Sequence, residues 1–84
     1  MGSQRVIDAL TRYLKVHGPK ILSNVGDQEI VRIELRALFR YYERESREDR
    51  LMNHVEGFEW RGCRVKGDYL LVPVSLIREV LGVE

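Results

Sequence analysis

The side chains able to act as nucleophile or base are His17, His54, Cys63 and Ser46. Nucleophilic catalysis needs a nucleophile within hydrogen-bond reach of a base, and a metal centre needs three or four ligands at set spacings. No pair among the four has such a spacing. There is no glycine-rich phosphate loop, and one cysteine with one histidine does not make a metal site. His17 falls on an apolar stripe just before Gly18 and reads as a helix-end residue that satisfies carbonyls. Cys63 reads as a half-buried strand residue. The expectation is a protein that is not an enzyme and uses no cofactor or metal.

A different chemistry is better supplied. Arg47, Arg50, Asn53 and His54 lie in a segment with helical spacing. With Leu51, Val55 and Phe58 marking the buried side, Arg47, Arg50 and His54 share one flank, and Asn53 lies near the outer pole. Glu48, Met52 and Glu56 form the other flank. Arginine forks onto guanine edges, asparagine onto adenine edges, and other bases meet phosphates. The acids Glu48 and Asp49 also suit the positive end of a helix. The same face reads equally as a solvated set of ion pairs, each worth little.

A second basic group is Arg61, Arg64 and Lys66 around Gly67, with only Asp68 opposing them over residues 60–68. Bases on a hairpin can follow a phosphate backbone. They can also simply guard an exposed strand edge against aggregation.

These groups require elements to hold them. Residues 4–17 read as a helix with Ile7, Leu10 and Leu14 on its stripe and Ser3 as its cap. Its mostly basic face, Arg5, Asp8, Arg12 and Lys15, reads as solvated. Gly18-Pro19 is expected to end it, with a short further turn over 20–22. Residues 29–33 are a brief strand or the start of a helix. From Glu34 the pattern is helical, through Leu35, Leu38, Phe39 and Tyr42. Seven of the eight residues 43–50 are charged. A continuous helix there would have no buried stripe, so a break is expected, with Ser46 opening a new helix by a capping box. Gly57 stops that helix.

Residues 58–65 and 69–74 read as strands joined by a Lys66-Gly67-Asp68 turn. Gly62 is expected to bulge the first strand, and Pro73 to mark an edge or a strand end. Strict alternation would put Arg64 and Lys66 on the side of Trp60. A last helix, 75–81, is expected to start at Ser75. Tyr41 and Trp60 are the aromatics to test for exposure as base-stacking platforms.

The chain has 84 residues and 9.9 kDa, enough for one domain over 1–84 with a core at about 4–74. Fourteen bases against thirteen acids give net +1, which argues against a sequence-blind coater of nucleic acid. Eleven of the bases are arginine, a usage that fits ion-pair networks and a thermophile source. The single cysteine and the absence of a long apolar run predict a soluble cytoplasmic chain without membrane contact.

In element order the sequence resembles the winged helix-turn-helix superfamily over roughly residues 4–74. Residues 34–39 look like its second helix, 46–58 like its recognition helix and following glycine, and 60–74 like its wing. The resemblance implies an α+β fold with a three-helix core, a β-hairpin wing and a short C-terminal helix. It implies a nucleic-acid-binding module, for double-stranded DNA, acting in transcription or replication. Its contacts would be Arg47, Arg50, Asn53, His54, Arg61, Arg64 and Lys66. The near-neutral charge and the acidic helix flank support an alternative, a protein-interaction subunit of a larger complex. Members of the superfamily often dimerise through terminal helices. The broad stripe of Leu76, Ile77, Val80 and Leu81 is therefore also a candidate homodimer interface.

Overall fold

The first helix does not stop where glycine and proline would stop it. In the computed structural model, which describes residues 2–41 and 55–83, helix α1 runs Gly2–Asn24 with Pro19 inside it. A helix-interior proline costs about 3 kcal/mol and a glycine about 1 kcal/mol relative to alanine. Packing offsets them. Beyond Pro19, Ile21 and Leu22 lie against the core and Val25 is buried. Gly18 is buried beside the C-terminal helix. The expected end at residue 17 is thus corrected, and Ser3 lies inside the helix instead of capping it. His17 is a mid-helix residue, not a helix-end one.

After the loop at 25–29 comes strand β1, Ile30–Glu34, then a short helix α2, Leu35–Phe39. Gln28 N–H to Val25 O closes the loop. Gly57, at φ +72°, turns the chain toward the sheet behind the buried Val55. Three strands follow, β2 Glu59–Trp60, β3 Cys63–Lys66 and β4 Tyr69–Pro73, and then helix α3, Val74–Leu81. The break expected over 43–50 and the Ser46 capping box lie outside the described residues.

The fold is therefore α+β: among the described residues, three helices accompany a four-stranded antiparallel sheet in the order β1-β4-β3-β2. Pro73 ends the central strand β4. Its missing N–H costs nothing there, because the next residue begins α3. Ser75 does not cap α3; it sits in the first turn, and Val74 N–H donates to Glu29 O at 2.8 Å instead. The start of α2 is satisfied in the same way, by Leu35 N–H to Asp68 O at 3.0 Å. Both helices thus take backbone carbonyls from neighbouring segments as caps.

The segment expected as one bulged strand is two strands. Arg61 and Gly62 both have positive φ, +51° and +89°, the two-residue turn whose twist suits a tight hairpin. Trp60 then pairs with Cys63 across it. The second hairpin turns at Gly67, φ +62°, between the paired Lys66 and Tyr69.

Side-chain alternation splits the sheet into two faces. Ile33, Cys63, Leu70 and Val72 point into one core with Leu10 and Leu14 of α1, Leu38 of α2, and Leu76 and Ile77 of α3. The helices thus cover one face of the sheet. Ile30, Arg32, Glu34, Arg64, Lys66 and Tyr69, on the other face, are exposed.

Candidate nucleic-acid interface

Of the seven candidate contacts, Arg47, Arg50, Asn53 and His54 lie outside the described residues. The other three separate. Arg64 and Lys66 alternate with the inward Cys63 and Val65, so both stand on the exposed sheet face. Arg61 occupies the reversing turn. Its guanidinium pairs with Glu79 of α3 and lies 5.7 Å from the centre of the Trp60 ring. Because the chain reverses at 61–62, Trp60 shares the face of its partner Cys63. The expectation that Trp60 lies beside Arg64 and Lys66 is corrected. Trp60 and Tyr41 are both half-buried.

The register brings up two residues that sequence reasoning missed. Arg32, Leu71 and Arg64 face one another across β1, β4 and β3, and Glu59 on β2 continues the row. At about 4.8 Å per strand, the Arg32 and Arg64 backbones are about 10 Å apart. The next row is Glu34, Tyr69 and Lys66. Tyr69 is 37 % exposed, and the Arg32 guanidinium lies 5.4 Å from its ring centre. The signal was the alternation of Ile30, Arg32 and Glu34 with Val31 and Ile33, which a strand reading of 29–33 would have used.

The face is mixed in charge. Arg32, Arg64 and Lys66 alternate with Glu34 and Glu59, and Asp68 stands in the turn. Below the first row, Ile30, Leu71 and the Arg61-Gly62 turn line a concavity of about 430 Å³.

Cys63 is buried, and burial pushes its thiol from 9.0 up to about 11. Such a thiol is protonated at neutral pH and is a poor nucleophile. His17 Nε2 lies 2.8 Å from the Tyr41 hydroxyl, within a cluster that Tyr13 completes. Among the described residues no group of three or more His, Cys, Asp or Glu could hold a metal, and no helix is long and apolar enough to cross a membrane.

In α3, Leu76 and Ile77 are buried in the chain's own core, whereas Val80 and Leu81 are half-buried. The part of that stripe with surface left is its C-terminal turn. No known family model matches the chain, and no curated protein or solved structure matches it either.

Proposed function

We propose that the chain is a winged-helix module that binds double-stranded DNA, with the β3–β4 hairpin as its wing and Arg47, Arg50, Asn53 and His54 as its base contacts. One observation carries the reading. A strand after the first helix pairs with the last strand of a hairpin, in the order β1-β4-β3, and α2 starts against the hairpin turn through Leu35 N–H to Asp68 O. That arrangement is compatible with a winged helix. The tip then carries Lys66 and, two residues back on the same face, Arg64. Both side chains are exposed and suited to phosphate.

The alternation of charge across the sheet face favours a second reading, a docking module for a protein partner. Arg64 opposes Glu59, and Glu34 and Lys66 flank Tyr69. A protein surface of alternating sign would match it, and a polyanion would meet some repulsion.

Fluorescence anisotropy with a random labelled duplex at several salt concentrations tests the DNA reading. Binding should weaken as salt rises, because bound bases release counterions. No binding at low salt and micromolar protein would reject it and leave the partner reading. If duplex is bound, replacing Arg50 or Asn53 should cost discrimination between sequences by about 1–3 kcal/mol per lost base contact. Uniform losses for all sequences would mean that these residues do not read bases.

A further inference from the structure

The continuation of α1 past Pro19 builds a concavity that the duplex reading does not use. It lies between the last turns of α1, the loop after it and β1, and its volume is about 390 Å³. That is in the lower part of the ~300–1,000 Å³ range of small-molecule sites. Tyr13, Ile21, Val25 and Val31 supply apolar surface, Val25 buried with a little surface left and the other three half-buried. Lys20 stands exposed on the rim, and no carboxylate is among the described residues that line the site.

The walls are fixed before any ligand arrives. Asn24 Nδ2 donates to Lys20 O at 2.9 Å, and Gln28 N–H donates to Val25 O at 3.0 Å, which holds the loop against the helix end. On the other side the Tyr13 and His17 rings lie 4.6 Å apart, and Tyr41 fixes the imidazole by the contact at Nε2. Burial first, then the neighbouring Tyr41 and Glu34, push the Tyr13 hydroxyl above its ordinary value, so it keeps its proton and can donate a hydrogen bond at any physiological pH. Preformed walls reduce the entropy lost on binding.

We infer that this concavity binds a small monocarboxylate with an apolar body, the body against Tyr13, Ile21, Val25 and Val31 and the carboxylate at Lys20. The cation at the rim selects a negative head group. The apolar walls select a body larger than that of acetate.

The test is a two-dimensional NMR titration of the full chain with benzoate, with benzamide as the neutral isostere and acetate as the headgroup without a body. Benzoate should move the backbone resonances of residues near Ile21, Val25 and Val31 and saturate in the millimolar range. Benzamide and acetate should each bind at least about threefold more weakly, the size of an exposed charge contact. Lys20→Gln should lower benzoate affinity to that of benzamide; Lys20 is exposed, so the fold is unaffected. Three results would overturn the inference. They are no saturation up to roughly 50 mM benzoate, shifts scattered over the surface, and equal affinities for benzoate and either control.

Discussion

Gly18 of α1 and Leu81 of α3 touch so closely that a Cβ on residue 18 would stand 2.7 Å from Leu81 Cδ1. Glycine is there to let the C-terminal helix approach, and the helix passes through it. A Gly18→Ala chain gains about 1 kcal/mol of helix propensity but must displace the end of the half-buried Leu81 side chain, which offsets part of that gain. In a Leu81→Ala background the obstruction is gone, and the same substitution should stabilise by about 1 kcal/mol. Urea denaturation of the four chains gives the coupling. Additive effects would mean that the two residues do not meet in solution.

Cys63 gives a pH signature. Its thiol titrates near 11 when folded, against 9.0 when free. The folded chain therefore holds a proton that the unfolded chain releases between those values. Stability is fully present below pH 9 and falls as pH rises from 9 to 11. Tyr13, whose hydroxyl is also raised, adds a loss in the same direction above pH 10. Cys63→Ser should remove the first part of the decline and leave the second. A thiol reagent at pH 8 should label the native chain far more slowly than the chain in denaturant.

The two hairpins should behave differently toward duplex. Arg64→Ala and Lys66→Ala should each weaken binding to every sequence and flatten the salt slope by about one unit. Arg61→Ala should change the slope by clearly less, because its charge already faces Glu79 on α3. Anisotropy over a salt series separates them. An Arg61 effect equal to that of Lys66 would put the reversing turn on the duplex side.

Glu79 itself is a weak anchor. The Arg61–Glu79 pair is about half exposed on both sides, so Glu79→Ala should cost less than about 1 kcal/mol. Arg61→Asn should be tolerated as well, because asparagine accepts the left-handed backbone at φ +51°. Arg61→Val should cost more than either, since a β-branched residue is strained there. Thermal melts of the three chains rank them.

Replacing Tyr41 by phenylalanine removes the hydroxyl that meets His17 Nε2 and leaves the ring contacts in place. The expected loss is about 1 kcal/mol, the usual net worth of a half-buried hydrogen bond. Chemical denaturation reads it, and the NMR signals of the His17 ring should move. An unchanged His17 signal would mean that the contact is not populated.

Much of this protein follows from local pattern. The stripe of Leu10 and Leu14, the helical spacing of Leu35 and Leu38, the turn at Gly67 and the apolar run from Leu70 to Val74 each satisfy a short-range rule. Burial and backbone geometry at those positions depend on near neighbours in the chain. The sequence also specified that Arg64 and Lys66 share a face, because strand alternation needs no partner.

Tertiary contacts decided the rest. Pro19 remains inside α1 because Ile21, Leu22 and α3 pack there, and no window around residue 19 contains α3. Arg61-Gly62 reverses the chain instead of bulging it because Trp60 and Cys63 pair across it, which moves Trp60 to the opposite face from Arg64. Arg32 and Tyr69 come together through the pairing of β1 with β4, strands separated by the thirty-four residues 35–68. A hydrogen-bond register between distant strands is set by which faces can be buried together, and that is a property of the assembled core and not of any local window.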